Sequence, residues 1–124
     1  MTQEDKELLH KDLCARLPYG VKINENIQGD FTVIGLTTER VFTTCETEGC
    51  HNDFPIECIK PYLFPLSSMT DEQKKEYQYI TERWMYDSSY SISDSTDWLN
   101  KNHFDYRGLI EKGLAIDATG LNIY

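Results

Sequence analysis

"VKINENIQGDFTVIGLTTERVFTTC", residues 21–45, sets the fold class. "VKINENI" alternates apolar and polar residues, "DFTVIGLTT" is rich in β-branched side chains, and "RVFTTC" is short and similarly built. A period of two puts one side of a strand on a core and the other in water. β-branched residues suit that pleated, half-buried surface. The breaks, "NIQGD" and "TTER", are turn-like. Strands joined this closely pair antiparallel. "DFPI", residues 53–56, is a fourth candidate strand, which Pro55 pushes toward an edge or a strand end. The expectation is a small antiparallel meander over 21–60, able to curl into an SH3-like barrel.

Outward from that stretch the period becomes helical. Residues 2–17 place Leu9, Leu13 and Leu17 four apart, with Cys14 beside the stripe. Thr2 and Asp5 fit a variant capping box, and "LPYG" (17–20) stops the helix. On the other side, "ECIKPYLFPLSSM" (57–69), with Pro61 and Pro65, reads as the crossing from sheet to helix. Thr70 and Gln73 form a second capping box. Tyr77, Ile80 and Trp84 then mark the core side of the next helix. Residues 86–96 read as a polar loop, and a short helix starting near Ser95 or Thr96 carries Trp98 and Leu99. Asp105 fits the N-cap of a helix over "YRGLIEK" (106–112), ended by Gly113. The last eleven residues are either a frayed tail or a small strand. The chain thus reads as one α+β domain over 1–124, divided into a helix (1–20), a meander (21–60) and a helical part (61–124).

Twelve basic and 21 acidic side chains give a formal charge of −9. The acidity is spread along the chain, and such a field repels phosphate, so nucleic acid and anionic membrane surfaces are disfavoured as partners. It would suit a basic protein surface. The first residues carry charged side chains from the fourth position and no apolar core of a signal peptide. No apolar run approaches the ~18 residues of a membrane span. The expected compartment is cytoplasmic, with the four cysteines as thiols.

Three of those cysteines and one histidine fall in "CETEGCHNDFPIEC", residues 45–58. A metal site here would use Cys45, Cys50 and His51, with Asp53 the nearest fourth ligand. Zinc prefers two ligand pairs, and only one loose pair is present. If 40–45 and 54–59 are hairpin arms, Cys45 faces residue 54 and Cys58 lies ~13 Å down the ladder, beyond any shared ion. The plain account is buried or half-buried strand cysteines, with no metal and no cofactor. His10 and Cys14, four apart on the first helix, form a possible thiol–base pair. A core thiol beside a surface histidine is the plainer account. His103 and Asp105 could form an acid–base pair, but a cap explains Asp105.

One further segment stands out. "WMYDSSYSISDSTDW", residues 84–98, holds two Trp, two Tyr, one Met and three Asp, with no basic residue. Trp84, Tyr86, Asp87, Tyr90, Asp94 and Trp98 are its candidate contact residues, because aromatics centre interfaces and charges rim them. The competing account packs Trp84 and Trp98 inward.

"LHKDLCARLPYGVK" (9–22), "IKPYLFPLSSMT" (59–70) and "DWLNKNHFDYRGLIEKGLA" (97–115) resemble a family of small uncharacterised proteins encoded by gut bacteria and by their phages and mobile elements. The resemblance implies a cytoplasmic, phage-linked setting and assigns no activity or site residue. The functional expectation is therefore a non-catalytic, acidic interaction protein. The alternative is a small metal- or thiol-dependent enzyme using Cys45–Cys58.

Overall fold

The computed structural model describes residues 1–44, 52–83 and 92–124. Within them the chain runs α1 (Gln3–Arg16), β1 (Lys22–Glu25), β2 (Gly29–Leu36), β3 (Arg40–Thr43), β4 (Asn52–Pro55), β5 (Ile59–Pro65), α2 (Asp71–Arg83), α3 (Ile92–Lys101), β6 (Phe104–Asp105) and β7 (Ile116–Asp117), an α+β fold. Both capping boxes form. Thr2 Oγ1 accepts from the Asp5 amide and the Asp5 carboxylate accepts from the Thr2 amide. Thr70 and Gln73 do the same at α2.

The strands lie in the order β4-β3-β2-β1-β5-β6, with β7 also on β5. This sheet is open and does not curl into a barrel. The four-strand meander is antiparallel as expected, and Pro55 ends β4 at the sheet's edge. The fifth strand departs from expectation. "IKPYLFP" is not a crossing but a strand that returns to pair with β1, Pro61 opposite Ile23. Proline's φ is compatible with extended chain, and the strand buries Ile59 and Leu63 completely. Burial outweighs the missing donor.

Register and burial divide the sheet into two unlike faces. Ile23, Val33, Val41, Phe54, Ile59 and Leu63 point to one side, where Leu9 and Leu13 of α1 complete the main core. Phe64, next along β5, turns to the opposite side. There it joins Trp98, Leu99 and Phe104 in a second cluster, with Tyr77 and Ile80 of α2 packed against it. So α1 covers one face, while α2 and α3 cover the other only at its β5–β6 end.

Two other expectations are corrected. The polar segment 86–96 is cut short, because α3 begins at Ile92, bringing Ser95, Trp98 and Leu99 onto one buried stripe. Residues 106–112 form successive turns, not a helix, with Gly108 and Gly113 both at φ +75°. Two left-handed residues within seven leave too short a run for a helix to propagate. Of the two forms expected for the final residues, the small strand is the one present. β7 pairs in parallel with β5, and the Tyr124 hydroxyl donates to the Tyr62 carbonyl.

Candidate functional site

The densest polar chemistry in the described residues lies under α1. Asp12 and Arg16 are fully buried, and the Asp12 carboxylate accepts from Arg16 Nε at 2.8 Å and Nη2 at 3.2 Å. Arg107 Nε adds a third bond at 3.1 Å. Arg16 Nη2 also donates to the Phe104 carbonyl at 2.5 Å, tying α1 to β6. Arg107 Nη2 donates to the Tyr106 hydroxyl, which donates to Asn100 Oδ1. Both guanidiniums lie over the Tyr106 ring. Asp12 and Arg16 resemble an ordinary surface ion pair in sequence. They stand at i+3 and i+7 from Leu9, inside the stripe that packs on the core, and that spacing was the available signal. Asp12, held by three guanidinium hydrogen bonds, is a structural anchor.

His103 and Asp105 do not form an acid–base pair. Asp105 accepts from the amides of Arg107, Leu109 and Ile110 at 2.9–3.3 Å, capping a series of turns in place of the expected helix. It borders a cleft of about 360 Å³ with Leu66, Ile110 and Glu111. Its oxygens are already committed to these amides. His103 sits in the left-handed region at φ +61°. Its ring stacks on Tyr124 with centroids 3.6 Å apart and planes 9° apart. Burial, and secondarily the charges of Arg16 and Lys22, lower its pKa to about 4.

The unfolded chain takes up a proton on this imidazole near pH 6.5 and the folded protein only near 4. Below pH 6.5 the unfolded state therefore binds more protons, and stability falls as the pH drops toward 4. The loss attributable to His103 is on the order of 3 kcal/mol. Urea unfolding of wild type and His103→Gln between pH 7 and 4 measures it. The variant's stability should fall less steeply, and parallel curves would refute the assignment.

The thiol candidates separate. Cys14 is exposed, not a core thiol. Its sulfur lies 3.8 and 3.9 Å from the two nitrogens of His10, nearly equidistant and not along one lone pair. Cys58 is also exposed and ends a 3₁₀ turn, Ile56–Cys58, so it is not a strand cysteine on a hairpin arm. The hairpin register differs too, because residue 54 faces Val41 and not Cys45. Asp53 is engaged by Arg40 Nε at 2.5 Å. Cys45, Cys50 and His51 lie outside the described residues. Among the described residues no three His, Cys, Asp or Glu side chains are grouped to hold a metal.

Of the 84–98 segment, Trp84, Tyr86, Asp87 and Tyr90 lie outside the described residues. Asp94 is half-buried near the start of α3. Trp98 is 8% exposed. It stacks on Phe104 at 5.7 Å and meets Tyr77 at 5.5 Å, so its ring is core and not contact surface.

What the sequence reading missed is the meander face that the described residues leave bare except at Lys22, whose ammonium donates to the Ile123 carbonyl and lies over the Tyr124 ring. Lys22, Asn24, Asp30, Phe42 and Lys60 share the side away from α1. The register slips between Val33 and Gly35, leaving Ile34 53% exposed next to Phe42, 37% exposed, which faces Gly35. Asp30 is held by Tyr62 at 2.6 Å and Asn24 at 2.8 Å, bonds that lower its pKa. Burial, then Asp30, raises the Tyr62 hydroxyl to about 12.

Among the described residues no helix is long and apolar enough to cross a membrane. No known family model matches this chain, and no curated protein or solved structure is similar to it.

Proposed function

We propose that this is a non-catalytic interaction protein whose partner docks on the bare face of β1–β4. The observation that supports it most directly is the neighbouring pair of exposed apolar side chains, Ile34 and Phe42, on a sheet face that α1, α2 and α3 leave open. Around them stand three basic residues (Lys22, Arg40, Lys60) and two acidic ones (Asp30, Asp53), in a chain with 12 basic and 21 acidic side chains. The face is therefore close to neutral within an acidic molecule. That arrangement suits a protein with an apolar centre and a polar rim of mixed charge, while the acidic surface beyond it favours a basic partner and disfavours nucleic acid. The sheet edge is the weaker alternative, because β4 is four residues long and ends in Pro55, which has no N–H to offer an added strand. A cytoplasmic, phage- or mobile-element-linked accessory role belongs to the same proposal and rests on the sequence resemblance.

The test is a double substitution, Ile34→Ser with Phe42→Ser, used as bait beside the wild type in affinity capture. Both positions are exposed, so thermal stability should change little. Affinity for a captured partner should fall by more than about tenfold. If every protein held by the wild type is held equally by the variant, the proposal fails.

A further inference from the structure

A second feature, independent of the bare sheet face, is a pocket of about 240 Å³ where α2 begins, α3 ends and β5 and β6 meet the turn at Thr119–Gly120. From the geometry we infer that it binds a neutral, polyhydroxylated ring of the size of one sugar unit.

The lining makes the case. Phe64 and Phe104 contribute two aromatic rings, 6.2 Å apart and tilted by 56°. One face of Phe104 is taken by Trp98. Phe104 is only 2% exposed, so the half-buried Phe64 is the ring of the pair open to a ligand, and it gives an apolar wall on which the C–H face of a puckered ring packs. The volume is below the ~300–1,000 Å³ of drug-sized sites, enough for one ring and not for a dinucleotide or a peptide. No ionisable side chain lines the pocket, although the chain as a whole is acidic. A charged ligand would find no counter-ion there.

Polar capacity remains after the internal hydrogen bonds are assigned. Gln73 uses Oε1 to accept from the Thr70 amide, and its Nε2 has no partner among the described residues. Thr70 Oγ1 accepts from the Gln73 amide and keeps its hydroxyl proton to donate. Asn102 donates from Nδ2 to the Trp98 carbonyl, leaving Oδ1 to accept. Donors and acceptors from separate segments thus converge beside the Phe64 ring, and hydroxyl groups are the ligand groups able to use both. Nothing in the amino-acid order places Gln73 beside Asn102. The α2–α3 packing does.

Titration of the ¹⁵N-labelled protein with galactose, glucose and N-acetylglucosamine, and with glucuronate and glucosamine as charged counterparts, tests this. At least one neutral sugar should give saturable shifts at the amides of Thr70, Gln73, Phe104 and Gly120, with a Kd on the order of 1 mM. Gln73→Glu keeps the capping acceptor and the fold, but replaces the free amide donors with a carboxylate. It should weaken binding about tenfold or more. The inference is overturned by no saturable shift up to about 50 mM of any neutral sugar, by tighter binding of a charged counterpart, or by full affinity in Gln73→Glu.

Discussion

Asp12→Ala lowers the stability of this protein by about 3–5 kcal/mol, because it leaves Arg16 fully buried with its counter-ion gone. The deleted carboxylate also held Arg107, so both guanidiniums lose their anion in one step. For a domain of this size the midpoint of thermal unfolding drops by about 10–25 °C. Against a total stability of ~5–15 kcal/mol, the variant is on the margin of folding at 37 °C. The direction of rescue is also expected. Asp12→Leu combined with Arg16→Met removes the stranded charge together with its partner, and should recover at least half of the loss. Differential scanning calorimetry of the two variants decides the matter. A single-variant cost under about 1 kcal/mol would mean that solvent reaches the pair, since exposed ion pairs contribute only that much.

Trp98→Ala costs a further ~3–5 kcal/mol by the same kind of measurement, from cavity formation in the second cluster. The ring contacts with Phe104 and Tyr77 account for part of this, at about 0.5–1.5 kcal/mol for each aromatic pair. The effect has a local signature. None of the described side chains of α2 is fully buried, and α2 packs chiefly on α3, with Tyr77 and Ile80 resting on the cluster that Trp98 completes. An isolated helix of 13 residues is marginal in water. Helical circular dichroism should therefore fall by the share of α2 well below the main unfolding transition. If Trp98→Ala instead retains both stability and helicity, the ring is peripheral and its place in a binding surface has to be reopened.

Much of the architecture was legible from local pattern. Alternation in "VKINENI" and β-branching in "DFTVIGLTT" correspond to β1 and β2, and Pro55 marks the edge at β4. The Thr2–Asp5 and Thr70–Gln73 boxes mark where α1 and α2 begin. These signals are local because a cap or an alternating strand is decided by residues two to four apart. Where the reading failed, a distant partner outweighed a local preference. Pro61 and Pro65 argue for a break, yet β1 on one side and β6 and β7 on the other recruit the segment as a strand.

The candidate surfaces divide along the same line. The sequence alone determined an α+β chain with capped helices, an antiparallel meander and an acidic charge balance, because composition, caps and periodicity need no tertiary contact to be read. Only the tertiary structure decided that Asp12 and Arg16 are core, that the Trp98 ring faces inward, that Ile34 and Phe42 lie side by side in water, and that Gln73 meets Asn102 at one pocket. Each of those facts depends on which faces of separate elements close on each other, and burial of apolar area, the force that closes them, has no direction along the chain.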